Sequence, residues 1–485
     1  MPQPRPNVLF IMTDQQRYDC LGANGNAIIR TPNLDRLAAG AASFASAFVQ
    51  APVCVPSRIS YFTGRYPHSH QNRVNYTPCD RREVLMQKLF QAAGYQTGSV
   101  GKLHYYPPTL EHARSTGFDR VLLDDGVPRT DPHSDYVKWR KRSDPNATIH
   151  YNATAKNIAP GKNPFRGAVS YEFTPTAWTG AETCALLREF TRSSRPFFLF
   201  SSFFKPHSPY TAPQPYDSMY DAVEIPLPRR TTLEDIRTLP LPVQRQILRG
   251  RPQYDMDRQR LQWIYRSYYA SVSMIDREVG RILDELERSG KAQDTVIVFA
   301  SDHGDQLLEH GLLEKNVLFE ASIHIPLLIS FPERVRPGRY LELIETVDLM
   351  PTLLDLCGLP IPVNAQGRSF AALVSGRNYK PREAVFAENI IPEVITGGAL
   401  DLPFEPGKGV GGIQHPDAKM VRTSRWKLNY YPGQGGELYD LKEDPQETYN
   451  RYIDQRELVS ELKGAILDWL ITAGEADQIA PRWLL

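Results

Sequence analysis

This sequence predicts an α/β protein: a large, mostly parallel sheet flanked by helices, then a smaller antiparallel sheet packed by one helix. Three observations carry that expectation. Short, largely apolar runs such as Asn7–Thr13, Pro196–Ser201 and Asp294–Ala300 read as strands buried on both faces. Helical patterns stand between them, at Leu85 to Ala93, Ala177 to Thr191 and Asp255 to Leu286. The alternation persists from residue 7 to about residue 357, which is the signature of a sheet with helices on both faces. From about residue 380 closely spaced strands take over. Residues 1–375 are therefore expected to form a catalytic α/β domain, and residues 376–485 a smaller α+β subdomain.

Bulk properties narrow the function. The 485-residue chain is 41% hydrophobic and 23% charged, ordinary for a globular protein with a sizeable core. A formal net charge of +1 gives no global field for nucleic acid or an anionic membrane, so neither is expected as a partner. Forty prolines predict long ordered loops, as in an enzyme with an elaborate site. The five cysteines, Cys20, Cys54, Cys79, Cys184 and Cys357, are far apart and form no CxxC pair, so no zinc site or disulfide scaffold is signalled. The first residues lack the apolar run of a signal peptide, and no stretch approaches the roughly 20 apolar residues of a membrane span. A cytoplasmic location is expected, and the sequons at Asn75, Asn146 and Asn152 read as chance matches.

In chain order, the first strand ends on Asp14-Gln15-Gln16. Ligands of open α/β sheets bind at that carboxyl end, although polar residues there also make caps and turns. Thr31-Pro32-Asn33 starts a helix. Next comes Cys54-Val55-Pro56-Ser57-Arg58, with an apparent helix, Ile59 to Thr63, after it. Pro56 suits a first turn, and Cys54 would sit just ahead of a helix N-terminus, where negative charge is favoured. The bland alternative is a buried cysteine beside a surface arginine. Strand Thr97 to Val100 ends on Gly101-Lys102-Leu103-His104; a pair of surface side chains is the alternative there. Residues 105–176 are polar and weakly periodic, and 211–254 are Pro-rich; both read as loops over a site. Strand Pro196–Ser201 runs into Lys205-Pro206-His207, where two prolines stiffen the loop around His207. Strand Asp294–Ala300 ends on Ser301-Asp302-His303-Gly304-Asp305, with Gly304 allowing a tight turn. Lys315 follows a short loop later. Ile325 to Phe331 is a further strand, and Val347 to Leu356 a helix. Strands at 384–387, 419–422, 426–431 and 437–441 and helix Glu457 to Thr472 make up the C-terminal part.

The strand ends therefore bring Asp14, Gln15, Lys102, His104, His207, Asp302 and His303 to one sheet edge, with the Cys54 loop and Arg58 nearby. So many ionisable groups repel unless a counter-ion or an anionic substrate joins them. Asp14, Gln15, Asp302 and His303 form an oxygen-rich set with one imidazole, which suits a divalent cation. Lys102, Lys315, Arg58 and the histidines suit an anion. A metal, a cationic clamp and a nucleophile together read as displacement at phosphorus or sulfur.

These segments resemble the type I sulfatases of the alkaline-phosphatase superfamily. The resemblance rests on Pro6 to Asp14, Cys54-Val55-Pro56-Ser57-Arg58 with Thr63-Gly64-Arg65, Gly101-Lys102-Leu103-His104, and Lys205-Pro206-His207. It continues through Ser301-Asp302-His303-Gly304, His310-Gly311-Leu312-Leu313-Glu314-Lys315, and Leu438-Tyr439-Asp440-Leu441 with Asp444-Pro445. It implies an alkaline-phosphatase-like fold and hydrolysis of a carbohydrate or aryl sulfate monoester. It also implies that a formylglycine-generating enzyme oxidises Cys54 to formylglycine, with Pro56 and Arg58 in its recognition signal. The hydrate of that aldehyde is then the nucleophile. One hydroxyl attacks sulfur and releases the alcohol; the other loses a proton, expels sulfate and restores the aldehyde. By position, Asp14, Gln15, Asp302, His303 and the modified Cys54 would hold one divalent metal. Arg58 and His104 would orient or deprotonate the hydrate. Lys102 and Lys315 would bind sulfate oxygens, and His207 would contact sulfate or protonate the leaving oxygen.

Two positions depart from the commonest pattern. Many calcium-dependent sulfatases have an Asp where Gln15 stands and an Asn where His303 stands. Calcium remains the first expectation, and the lower ligand charge brings in manganese or magnesium. Phosphonate monoester hydrolases are similar in their Asp-Gln and Asp-His ligands but lack the Lys-x-His pair retained here as Lys102 and His104. Sulfatase is therefore the favoured reading, phosphonate or phosphodiester hydrolysis the alternative, and a non-catalytic binding protein the reading from another class. Loops 105–176 and 208–254, with residues near His415 to Arg422, are expected to line the alcohol pocket. Tyr105, Tyr106, Tyr210 and Trp178 are candidates for stacking on a ring.

Overall fold

A computed structural model describes residues 5–125, 133–143, 165–167, 169–250, 257–332, 334–390 and 417–474. Its strands, in chain order, are β1 (Asn7–Asp14), β2 (Ala42–Phe44), β3 (Ala47–Phe48), β4 (Gln96–Gly101), β5 (Arg120–Leu123), β6 (Phe197–Pro206) and β7 (Thr295–Ser301). They continue with β8 (Leu327–Ser330), β9 (Gly338–Tyr340), β10 (Ile344–Glu345), β11 (Ala384–Ile390), β12 (Asp417–Thr423), β13 (Trp426–Tyr431) and β14 (Gly435–Asp440).

The main sheet has the order β5-β4-β6-β1-β7-β8-β2-β9. From β5 to β7 every pairing is parallel. β8 runs antiparallel to β7 and to β2, and β9 returns parallel to β2. The carboxyl ends of β4, β6, β1 and β7 are therefore adjacent, as the alternation of elements predicts. β1 is buried along its whole length because apolar layers cover both faces. Side chains alternate across a strand. Val8, Phe10 and Met12 accordingly join one core with Val55, Ile59 and Phe62 of helix Cys54–Thr63. Leu9 and Ile11 join the other with Leu187 of helix Pro175–Phe190 and Val279 of helix Arg258–Arg288. Each fully buried aliphatic or phenylalanine side chain contributes roughly 1.5–3 kcal/mol.

The second sheet, β11-β12-β13-β14, is antiparallel throughout. Helix Arg456–Thr472 covers it with Val459, Leu462, Ile466 and Trp469 against Val421, Leu428 and Leu438. β11 also reaches the first sheet's loops: the Glu388 amide donates to Gln50 O and the Asn389 side chain to Asn316 O, at 2.9 and 2.7 Å.

Several elements differ from the expectation. The helix after the Cys54 loop begins at Cys54, not at Ile59, because Val53 is extended (φ −145°) and the Ser57 amide already donates to Val53 O. The region read as loop between 105 and 176 contains helix Leu110–Ser115, edge strand β5 and helix Asp135–Ser143; their shortness hides the period. Helices Leu233–Arg237 and Leu241–Gly250 likewise stand within 211–254. Gly304 does not serve a left-handed turn. It is needed for close approach, since a Cβ there would meet Ala321 O at 2.0 Å. Among the described residues, no helix is long and apolar enough to cross a membrane.

Gly101 meets both demands at once. Its φ is +91°, and a Cβ would lie 2.0 Å from Ser202 O. Gly101→Ala is expected to lower stability by roughly 2–4 kcal/mol. Urea unfolding measures this; an unchanged midpoint would contradict the close approach of β4 and β6.

Candidate active site

Asp14 closes β1 and Asp302 follows β7; the two strands pair at Thr13 and Ser301, so the carboxylates become neighbours. Both side chains are wholly buried. Arg58 Nε donates to Asp302 Oδ2 at 2.8 Å, while its Nη1 donates to Lys102 O and Ser202 Oγ at 2.8 and 2.9 Å. Arg58 is therefore no surface arginine: it is buried and clamps three strand ends together. Lys102 is also buried, ion-paired to Asp14 and 3.8 Å from Cys54 Sγ.

Cys54 lies at the start of its helix, where amide dipoles favour an anion. The Asn75 side chain accepts the Val55 amide from outside the helix at 3.1 Å. Cys54 Sγ is 3.2 Å from His303 Nε2 and 3.9 Å from Asp14 Oδ1. Burial pushes the Cys54 thiol up, but Lys102, Lys315 and His303 pull it well below its ordinary value. Burial and the Cys54 charge likewise raise the Asp14 carboxyl, yet Lys102, His207 and Lys315 hold it below the usual carboxylate range. The field at this point favours negative charge.

One ligand atom each from Asp14, Cys54, Asp302 and His303 lies within 4.8 Å of the others, all buried. The set fits one divalent cation. Its carboxylates supply charge, and His303 Nδ1 donates to Gly304 O at 2.9 Å, which turns the Nε2 lone pair inward. Gln15 is held on several sides. Its amide donates to Asp302 Oδ1 (3.0 Å), its carbonyl accepts the Tyr268 hydroxyl (2.6 Å), and Nε2 donates to Asp305 Oδ2 (2.6 Å). Those contacts maintain a left-handed backbone, φ 71°. They also leave Oε1 to accept from Lys315 Nζ at 2.6 Å.

Lys315 Nζ also donates to His207 Nε2 at 2.6 Å, and His207 Nδ1 donates to Ser208 O at 2.8 Å. Lys315 itself is flanked by left-handed Glu314 (φ 65°) and Asn316 (φ 77°). His104, half-buried, is left-handed too (φ 57°); its amide and that of Leu103 both donate to Asp125 Oδ1 at 2.8 Å. Its side chain stands near enough to Cys54 to help hold the thiol low, and its Nδ1 has no hydrogen-bond partner among the described residues. Buried Lys205 braces the His207 loop by donating to Pro209 O at 2.5 Å, and burial pulls its ammonium down to about 7.

All the site residues singled out in the sequence thus lie around Cys54. Asp125, Asp305, Ser202, Tyr268 and Asn75 were not singled out, because each acts through a partner distant in sequence. Asp305 stands beside the Asp302-His303 pair, the one signal that pointed to it. Of the stacking candidates, Tyr105, Tyr210 and Trp178 are buried, so their faces are taken by packing and do not offer a ring a place to stack. Tyr105 packs edge-on against Phe62, Trp178 against Tyr136, and the Tyr210 hydroxyl donates to Asp305. Tyr106 is exposed. His415, Asn146 and Asn152 lie outside the described residues. All five cysteines are free and buried.

Asp305 presents the Gln15 oxygen, rather than its nitrogen, to the site. Asp305→Ala is expected to weaken divalent-metal binding about 10–100-fold. Calorimetric titration with Ca²⁺ and Mn²⁺ reads this directly, and unaltered affinity would remove Asp305 from the metal's support.

A family model described as Sulfatase matches residues 6–359. An arylsulfatase of Clostridium perfringens is 30% identical over 473 residues, covering 92% of this chain and 90% of that protein. The phosphonate monoester hydrolase of Agrobacterium radiobacter superposes with a TM-score of 0.81 at 26% identity, covering 97% of this chain and 96% of that one. The phosphonate monoester hydrolase SpPMH of Silicibacter pomeroyi gives 0.82 at 24% identity, over 97% and 96%, which speaks to the fold. The match over most of the chain places this protein in the sulfatase family, whose members are sulfuric ester hydrolases.

Proposed function

We propose that this protein hydrolyses sulfate monoesters of carbohydrate or aryl alcohols. Cys54, converted to formylglycine by a formylglycine-generating enzyme, would serve as the nucleophile. The observation that carries this reading is the cationic cradle around Cys54: Lys102 at 3.8 Å, and Lys315 joined to His207 at 2.6 Å. Such a cradle favours an anionic group against Cys54 and stabilises charge that grows there in the transition state. Asp14, Gln15, Asp302 and His303 would hold one divalent ion, calcium first, with manganese or magnesium suited to the lower ligand charge. When bound, that ion supplies positive charge against the nucleophile and the ester oxygens.

The chain's own groups then divide the work. Lys102 and Lys315 bind ester oxygens. His104 meets Cys54 from the half-buried side and takes a proton from its hydrate. His207, hydrogen-bonded to Lys315, would contact the ester group or protonate the departing alcohol oxygen. Arg58 holds Asp302 in place rather than meeting solvent.

A second reading, hydrolysis of phosphonate monoesters or phosphodiesters, is favoured by the Gln15 and His303 ligand types together with the two phosphonate hydrolase neighbours. The Lys102-x-His104 pair at Cys54 argues for sulfate. Ranking kcat/KM over sulfated sugars, aryl sulfates and phosphonate monoesters decides between them. Sulfate esters are expected to lead, and a phosphonate ahead by orders of magnitude would overturn the choice.

Cys54 is 1% exposed, and Pro56 and Arg58 are buried with it, so a modifying enzyme has no access in the folded state. Co-expression with a formylglycine-generating enzyme is expected to give a Cys54 peptide lighter by sulfur and two hydrogens and heavier by one oxygen. The same enzyme added to the folded protein should leave the peptide mass unchanged. Unmodified Cys54 and no turnover after co-expression would sink the enzyme reading.

A further inference from the structure

Among the described residues, Tyr76 and Tyr106 are exposed large aromatic side chains in contact with each other. Their exposures are 51% and 38%, and their rings meet edge to face with centroids 6.3 Å apart. Neither position looks chosen for the core. Tyr76 has φ 67°, a left-handed conformation that is a genuine outlier for a bulky residue. Strain of that kind persists where surroundings impose it, and it clusters at ligand-binding sites. Here a backbone bridge between Pro78 and Tyr106 ties the two loops together.

Both loops lead directly to Cys54. Asn75, next to Tyr76, accepts the amide of Val55. His104, two residues before Tyr106, stands beside Cys54 and is, with His207, a half-buried member of an otherwise buried site. The buried groups bind the charged end of an ester. An alcohol leaves past the half-buried groups, and the two loops carry Tyr76 beside Asn75 and Tyr106 two residues beyond His104.

We propose that Tyr76 and Tyr106 form the subsite for the alcohol, and that this alcohol presents a flat ring face, aryl or pyranose. The assignment rests on the sulfate-ester reading above. Aromatic faces and edges hold such rings by stacking and C–H contact. An acyclic alcohol gains little from them.

The test uses the modified full-length protein and Tyr76→Ala, Tyr106→Ala and the double variant, with phenyl sulfate, glucose 6-sulfate and ethyl sulfate as substrates. Ring esters are expected to lose about 10–100-fold in kcat/KM, chiefly through KM, by analogy with ring stacking elsewhere. Ethyl sulfate should change little, and Tyr→Phe variants should stay near the unsubstituted enzyme. The ring ester with the larger loss identifies the alcohol as aryl or pyranose. Equal losses on all three esters, or none, overturn the subsite. Thermal melts exclude variants that fail to fold. Binding of phenol and of methyl glucoside, followed by ligand-observed NMR, separates the two readings. Tyrosine-dependent binding without turnover of any sulfate ester would sink the sulfatase reading alone. Turnover of ring esters indifferent to both tyrosines would sink the subsite alone.

Discussion

Asp14 and Asp302 have no exposed surface, and they stand side by side because β1 and β7 run parallel in register. Two carboxylates that close would not both ionise in isolation. Lys102 compensates Asp14 and Arg58 compensates Asp302, each cation as buried as its partner. Removing one member of such a pair leaves an unpaired buried charge, a loss of roughly 3–5 kcal/mol. Arg58 extends the dependence further. It joins the Cys54 helix to Asp302 after β7, to Lys102 after β4 and to Ser202 on β6. The balance of these charges holds the sheet edge together, and the same balance makes Cys54 a place for an anion.

Around that centre lies a set of residues whose work is positioning. Asp305 and Tyr268 orient Gln15; Asp125 gathers the amides of Leu103 and His104; Asn316, next to Lys315, is held by Asn389 of the second sheet. Left-handed backbone recurs at Gln15, His104, Glu314 and Asn316, each beside or within the site. Non-glycine residues in that conformation cost about 1–3 kcal/mol each and need neighbours that over-determine them. Packing elsewhere in the protein supplies that support, which is why the antiparallel sheet belongs to the account of the site even though the candidate groups come from the parallel one.

The site has an inside and a mouth. Carboxylates, lysines and Arg58 are buried, whereas His104 and His207 are half-buried. On the proposed reading, a charged ester group is drawn inward and its alcohol stays outward. Attraction by charge and selection by shape fall to different residues. This separation is consistent with a family whose chemistry is shared and whose alcohols differ.

Local chemistry made much of this legible in the sequence. Apolar runs marked β1, β6 and β7 because strands buried on both faces need apolar residues throughout. Polar residues just after those runs marked the site, since parallel strands bring their carboxyl ends together. The short helices of 105–176 were not legible, because one or two turns carry too little period to separate from loop. Nor were the partners of Arg58, Gln15 and His104. Asp305 and Asp125 are ordinary acidic residues until the fold carries them across the chain, and the pairing of Asp302 with Arg58 appears only there. The sequence by itself determined which groups could do the chemistry and that they would share one sheet edge. Only the tertiary structure decided which cation compensates which carboxylate, where the Cys54 helix begins, and which tyrosines reach the surface. Pairing and burial depend on distances between segments far apart in sequence, and those distances exist only once the sheet has assembled.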